Sequence, residues 1–270
     1  MQQNPSKETF DRHLFEYGYQ NYRDMPWRSN PAPYWVWVSE MMLQQTQVSR
    51  VIPKFEAFMA RFPDIESLAS AELREVLQQW MGLGYNRRAK FMHQAAQYIR
   101  TDLDGAFPDT LDGLNSLPGV GPNTAGAILA YAYNYPAVFI ETNIRTVFIH
   151  ECFSGRSDVR DAEIIPLIGE YMDKQNPREW YWAIMDYGSY LKRTATNPSR
   201  RSKHHSVQAP FEGSRRQVRS TVLRMLLERP MTLEQLQSTI ADDRVADVVH
   251  DLEQESILTY NQIDSCYQVA

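Results

Sequence analysis

Residues 117–143 constrain the fold of this chain more than any other stretch. They open with Leu117-Pro118-Gly119-Val120-Gly121-Pro122-Asn123-Thr124-Ala125-Gly126, pass through an apolar run to Tyr133, and close on Glu141-Thr142-Asn143. Pro118 lacks an N–H and its ring clashes with helical geometry, so a preceding helix stops there. Gly119 and Gly121 admit positive φ and the close approach of another group. Pro122 suits the first turn of a new helix, whose N-terminal amides then point outward without intrahelical partners. The stretch reads as helix, tight hairpin, helix. Such a hairpin can hold a phosphate through backbone N–H groups alone. Taken by itself it is equally the signature of an ordinary turn between two helices.

The 270 residues are enough for one large or two smaller domains with a substantial core. The formal net charge is -5, so the chain is no polycation, and binding to nucleic acid would need a local basic surface. Two cysteines, Cys152 and Cys266, exclude a disulfide framework and a Cys-rich metal motif. Adjacent His204 and His205 lack further ligands, so no metal site is expected. The start, residues 1–8, is polar with no apolar signal core, and no run is long and apolar enough to span a bilayer. A cytoplasmic, membrane-free monomer is the expectation.

Apolar and aromatic residues recur at helical spacing through most of the chain. Residues 10–22 read as a first helix, broken by Met25-Pro26-Trp27-Arg28. Residues 34–51 read as helical throughout, the apolar spacing running across Ser39. Further helices are expected over residues 55–61, 67–80, 87–101, 158–169 and 178–191. No strand-like alternation occurs before residue 250, so this part of the chain is all-α. Taken alone, Trp27 reads as core packing, Arg28 as a surface charge, and Arg87, Arg88 and Lys90 as a solvated basic turn after Gly82-Leu83-Gly84-Tyr85.

Glu40 is the one acid in the apolar stretch Tyr34-Trp35-Val36-Trp37-Val38-Ser39-Glu40-Met41-Met42-Leu43-Gln44-Gln45-Thr46-Gln47-Val48. On an amphipathic helix a glutamate ordinarily faces solvent; buried, it is costly and its pKa rises. The string Ser39 to Val48, together with LPGVG-x-x-TAGAI and a carboxylate before Asn143, resembles the helix–hairpin–helix DNA glycosylases. MutY adenine glycosylases are the nearest group and endonuclease III is more distant. The resemblance covers about residues 10–192.

That resemblance implies the site. Cleaving an N-glycosidic bond calls for a proton on the leaving base and stabilisation of an oxocarbenium-like sugar, roles that two carboxyls in unlike environments can divide. Glu40 would be the general acid, Glu141 the ionised partner facing the sugar, and Asn143 a group orienting it or the phosphate. Trp27, Arg28, Leu43 and Asp186 match positions lining the adenine pocket. Gln45 and Tyr85 would fill or probe the space left by the extruded nucleotide, and Arg87, Gly119, Val120, Gly121, Asn123 and Thr124 would bind the DNA.

Three departures from the family pattern stand out. Glu141 occupies a position where relatives usually carry Asp. Asn123 occupies the position of the endonuclease III Schiff-base lysine, which points to a monofunctional enzyme without lyase chemistry. After Leu191, where many relatives place four cysteines around an iron–sulfur cluster, the chain runs Lys192-Arg193-Thr194-Ala195-Thr196-Asn197-Pro198-Ser199-Arg200-Arg201-Ser202-Lys203-His204-His205. No cluster and no other cofactor is expected. This basic segment reads either as a solvated linker or as an electrostatic substitute for the cluster loop.

From Arg215 onward a small unit is expected: a helix over 218–227, a second over 233–240 capped by Thr232, a third over 245–252 capped by Asp242 or Asp243, then a hairpin of 257–260 with 266–269. The expected fold is mainly α. A two-lobed helical glycosylase domain over 1–212 would precede a winged-helix-like module over 213–270. The third helix of the module is acidic, which favours packing or protein contact over base reading. The module does not resemble the 8-oxoguanine-reading domain of MutY. Double-stranded DNA carrying a mispaired or damaged base is the expected partner and a mispaired adenine the first-choice base. Hypoxanthine or uracil is the alternative, and a non-catalytic DNA-binding protein a more distant one.

Overall fold

The computed structural model describes residues 4–194 and 196–270. Residues 1–3 of the polar start and Ala195 of the basic segment lie outside them. The chain forms two compact units. One comprises Met1–Glu40, Pro108–Ser116 and Val120–Val207; the other comprises Met41–Phe107, Leu117–Gly119 and Gln208–Ala270.

The first unit is built on the helix Pro177–Thr194. Its buried side chains, among them Trp180, Ile184, Tyr187 and Leu191, recur every three or four residues and give it one apolar face. Lys7–Gln20, Pro122–Tyr133 and Thr142–Cys152 pack against it. Phe10 anchors this core, with its ring 5.2 Å from Phe148, 4.7 Å from Tyr171 and 6.4 Å from Trp180. Burying each such ring contributes about 1.5–3 kcal/mol. Ser6 starts the first helix by accepting from the Thr9 amide, as a serine cap does.

Within this unit the predicted helix–hairpin–helix ends as Leu111–Asn115 and Pro122–Tyr133, which pack on each other. Thr110 caps the shorter helix, accepting from the Gly113 amide. That helix ends three residues before Pro118, so the proline begins the turn rather than stopping the helix. Gly121 has φ of -99°, and a Cβ there would meet nothing within 4 Å. Positive φ therefore does not require glycine at Gly121, unlike at Gly119.

The second unit is a set of short helices, Val48–Arg61, Ile65–Ala69 and Leu73–Trp80, with the longer Arg87–Asp102 packed on the last two. Phe58 lies at its centre, 4.9 Å from Phe62 and edge-on to Trp80 at 6.4 Å. Gly119 belongs to this unit. Its φ is +79°, and a Cβ would lie 2.8 Å from Cβ of Phe91 and 3.0 Å from the Met41 methyl, so only glycine fits there.

The tail clusters with this second unit. It consists of helices Arg215–Glu228, Leu233–Thr239 and Val245–Gln254 and an antiparallel pair, Leu258–Asn261 with Cys266–Val269, in register Leu258↔Val269. Thr232 caps the middle helix through a capping box with Gln235. The third helix has no side-chain cap: Asp242 instead accepts from the Arg244 amide at 3.0 Å and from its guanidinium at 2.8 and 2.6 Å.

Residues 34–51 are not one helix. Pro33–Leu43 ends, Gln45 turns to φ of +56°, and Val48–Arg61 begins anew. Arg88 is the physical reason. Its guanidinium donates to the carbonyls of Met41 at 2.6 Å, Met42 at 3.1 Å and Gln44 at 2.8 Å, taking up acceptors that a helix end leaves unpaired. It also donates to Leu83 and Gly84 carbonyls at 3.3 and 3.1 Å, closing the glycine turn onto the same point. Arg88 is buried between the Trp80 and Tyr85 rings, not part of a solvated basic turn. Burial pushes its pKa down to about 10. Among the described residues no helix is long and apolar enough to cross a membrane.

Candidate active site

Three groups of the expected residues come together, two in the first unit and one in the second. The first is Glu40, Glu141 and Asn143. Glu141 is the N-cap of Thr142–Cys152: its Oε1 accepts from the Asn143 amide at 2.6 Å and the Ile144 amide at 3.0 Å. The Asn143 side chain donates to its other oxygen at 3.4 Å. The Asn143 Oδ1 is buried without a partner. Burial raises the Glu141 pKa; the Ile144 amide, Lys192, the Asn143 amide and Arg145 oppose the rise. A helix N-terminus also favours a negative charge there.

Glu40 is raised to about 8, first by loss of water and then by the like charge of Glu141. The two carboxyls therefore share one neighbourhood but differ in support, one held by amides and cations, the other by neither cause. The sequence places Glu141 beside polar neighbours as an ionised group; in the fold it is half-buried, and those amides and cations oppose the rise that loss of water causes.

Two members of this group were missed. Tyr131 is buried, and its hydroxyl is pushed well up by loss of water and then by Glu40 and Glu141. In the sequence it stands within the apolar run, where a tyrosine among alanines is the only signal. Lys192, in sequence only part of a basic segment, is near enough for its charge to oppose the rise at Glu141, while burial lowers its own pKa. Gly188 seats the group: a Cβ there would fall 2.5 Å from the Asn143 carbonyl oxygen, so Pro177–Thr194 meets the start of Thr142–Cys152 backbone to backbone.

The second group is Trp27, Arg28 and Asp186. Trp27 is buried. Arg28 donates to Asp186 at 2.6 and 3.1 Å, and Arg23 adds a bond of 2.5 Å to the same carboxylate. The Arg28 guanidinium also lies over the Tyr22 and Trp182 rings, at 5.1 and 5.5 Å. Arg28 is thus a buried ion-pair partner and not a surface charge.

The third group is in the second unit. Gln45, Tyr85, Arg87 and Gly119 line one cavity of about 500 Å³. Leu43 also lies in the second unit. Val120, Gly121, Asn123 and Thr124 lie in the first unit at the start of Pro122–Tyr133, where Asn123 turns its side-chain oxygen to the Ile140 amide at 3.2 Å.

Within the basic segment beyond Leu191, residues 198–202 are folded rather than a solvated linker. Pro198–Arg201 is a 3₁₀ turn with Pro198 and Ser199 buried. Arg201 donates to the carbonyls of Phe153 at 2.7 Å and Ile149 at 3.0 Å, closing the end of Thr142–Cys152. Two cysteines cannot supply four thiolates, and among the described residues no group of three or more His, Cys, Asp or Glu side chains is placed to hold a metal ion. The iron–sulfur cluster that the resemblance suggests for many relatives does not fit this chain.

Residues 38–167 match the model of the HhH-GPD superfamily of base excision DNA repair proteins. With the helical fold and the hairpin, the match makes the chain similar to that superfamily over residues 38–167, just under half of its length. Within it, the chain is similar to the adenine DNA glycosylase of Buchnera aphidicola subsp. Acyrthosiphon pisum, with 40% identity over 145 residues, 53% of this chain and 41% of that one. The adenine DNA glycosylase of Mycolicibacterium smegmatis is 40% identical over 147 residues, 53% of this chain and 50% of that one. The chain thus spans half or less of the length of these two relatives. Among solved structures, a thermostable thymine-DNA glycosylase shares the fold, with a TM-score of 0.61 at 20% identity over 68% of this chain and 86% of that one.

Proposed function

We propose that this chain is a monofunctional DNA N-glycosylase that extrudes and hydrolytically removes a base, with mispaired adenine the first-choice substrate. The observation that carries the reading is the half-buried carboxyl pair, Glu40 raised to about 8 beside a Glu141 supported by backbone amides. Similarity to adenine DNA glycosylases supports the choice of base.

In this reading Glu40 is protonated at neutral pH and gives its proton to the departing base as the C–N bond breaks. Glu141, ionised, faces the positive charge that develops on the sugar. Water adds to the anomeric carbon and its proton returns to Glu40, so the products are the free base and an abasic sugar. Asn143 holds the Glu141 carboxylate by its amide and side-chain N–H groups. Asn123 offers no amine for a Schiff base, so strand cleavage is not part of the reaction. The DNA would be held by backbone amides at the start of Pro122–Tyr133 and by Gln45, Tyr85 and Arg87, with the protein acting as a monomer. The module over 213–270 would be a winged-helix-like accessory to the domain over 1–212.

The test is to incubate purified protein with duplexes that each carry one mispair or lesion and to score abasic sites after alkali. Adenine release from a mispair is expected. Release confined to hypoxanthine or uracil would move the substrate to deaminated bases, and no release from any duplex would overturn the reading.

A further inference from the structure

Met185, Gly188 and Lys192 stand three and then four positions apart on the helix Pro177–Thr194, and so share one face of it. That face meets the helix Thr142–Cys152, which packs against it. Asn143 donates its side-chain N–H to the Met185 sulfur at 3.8 Å. A Cβ on Gly188 would lie 2.5 Å from the Asn143 carbonyl oxygen and 2.8 Å from the Asn143 Cβ. Lys192 is the third member of the row, one turn beyond Gly188.

Side chains on a helix lean back over the turn that precedes them. The Lys192 stem is thereby directed over Gly188, which has no side chain to block it, and toward the start of Thr142–Cys152. The residue is half-buried. Loss of water favours its neutral form; Glu141 favours the charged form, and Arg23 opposes it. The same attraction, felt at the carboxylate, opposes the rise that burial causes at Glu141.

The other charged and titratable groups at this point are Glu40, Tyr131, Arg145 and Arg23. Glu40 and Tyr131 both feel the negative charge of Glu141. Arg145 lies on the same helix as Asn143, but its guanidinium is engaged by Asp161, with two bonds of 2.7 Å. His204 lies 4.0 Å from that same aspartate. Arg23 is engaged by Asp186 at 2.5 Å. Of the three cations, two are thus bonded to aspartates, while the charge that bears most on Lys192 is Glu141 itself.

We propose that Lys192 is a positioning residue for base release: directed back along the row it shares with Met185 and Gly188, its ammonium keeps the Glu141 carboxylate ionised in the presence of Glu40. The inference rests on the reading of Glu40 as the acid and Glu141 as its ionised partner. In this role the lysine acts through Glu141 and touches neither base nor sugar. Both members of the pair depart from the family pattern, Glu141 by standing where relatives usually carry Asp and Lys192 by opening the segment that lacks the cysteines. A glutamate that must ionise away from bulk water is helped most by a cation with no other carboxylate to serve.

The experiment titrates the Glu141 carboxyl carbon by NMR in the free parent protein and in Lys192→Gln, Lys192→Arg and Arg193→Gln, the signal being assigned by its loss in Glu141→Gln. Arg193 is the exposed cation one residue on. In Lys192→Gln the midpoint is expected to rise by about one pH unit, the lower end of what a nearby opposite charge does to a carboxyl. Lys192→Arg should restore the parent midpoint and Arg193→Gln should leave it in place. The acidic limb of single-turnover base release should move up with the midpoint, because Glu141 must be ionised. The coupling is reciprocal, so Glu141→Gln should lower the midpoint of the Lys192 ammonium, a reading that needs no Lys192 variant to fold. An unmoved midpoint in either direction overturns the inference, as does a rate in Lys192→Gln that falls equally at every pH. Base release with uncoupled midpoints leaves the proposed function standing without this inference. Coupled midpoints in a protein that releases no base overturn the proposed function and leave the pairing of Lys192 with Glu141.

Discussion

Arg28 holds Asp186 through both terminal nitrogens of its guanidinium, at 2.6 and 3.1 Å, with both side chains almost wholly out of water, at 2% and 1% exposed. Removing one partner of such a pair strands a buried charge, which typically costs about 3–5 kcal/mol. Arg23 continues to serve Asp186 when Arg28 is lost, so Arg28→Met is expected near the lower end, about 3 kcal/mol less stable than the parent. Urea unfolding at neutral pH measures it; a loss under about 1 kcal/mol would show that Arg23 alone neutralises the carboxylate.

Glu40→Gln is expected to lower base release by about 10²–10⁴ while duplex binding persists. In the parent, release should fall as pH rises through about 8, where Glu40 loses its proton. Single-turnover rates across pH decide this, and a parent-like rate in Glu40→Gln would remove Glu40 from the acid's role.

The same carboxyl affects stability with a definite sign. Its folded value, about 8, lies above the ordinary 4.5, so the folded chain holds the proton more tightly than the unfolded one. Stability from this group is fully present below about 4.5, declines through the interval up to about 8, and then stays low. Glu40→Gln should therefore be more stable than the parent above pH 8 and show a flatter profile between those limits. Thermal midpoints of the two proteins that fall in parallel from pH 5 to 8 would falsify the assignment.

Glu141→Gln is expected to lose most activity, since the oxocarbenium charge is then unopposed. Glu141→Asp should keep little: the shorter side chain falls short by about one carbon–carbon bond, and near-attack geometry is sensitive to shifts of about 1 Å. Single-turnover rates on adenine, hypoxanthine and uracil test both. A changed ranking of bases in Glu141→Asp would make the position a determinant of base choice instead.

Strand cleavage should need added alkali or a second enzyme, because Asn123 carries no amine. Borohydride reduction during turnover should leave the protein free of DNA; a covalent adduct in high yield would identify another amine, with Lys192, the cation near Glu141, the first to be substituted.

Much of this architecture was legible in the residues themselves. The apolar periodicity of 178–191 marked the helix that organises the first unit, Thr232 marked a helix start, and the lone acid at position 40 marked the carboxyl proposed as the acid. What escaped was set by partners remote in sequence. The helix break after Leu43 depends on Arg88, more than forty positions away, and a local pattern of apolar residues carries no trace of it. Arg28 reads as a surface charge, and Arg201 as one more cation of the basic segment, because their acceptors, on Asp186 and on the carbonyls of Ile149 and Phe153, become neighbours only after folding. Asp242 failed as a cap because Arg244, two residues on, captures it first.

Gly188 has no side chain to offer, yet it sits where the helix bearing Glu141 and Asn143 rests on its neighbour. In a saturation mutagenesis screen scored by repair, position 188 would then be as intolerant as the carboxylates themselves. A methyl group added there pushes the Asn143 backbone outward and carries the Glu141 amides with it. The screen would map a reacting residue where there is only a required emptiness, and purified variants that remain folded but turn over slowly would tell the two apart.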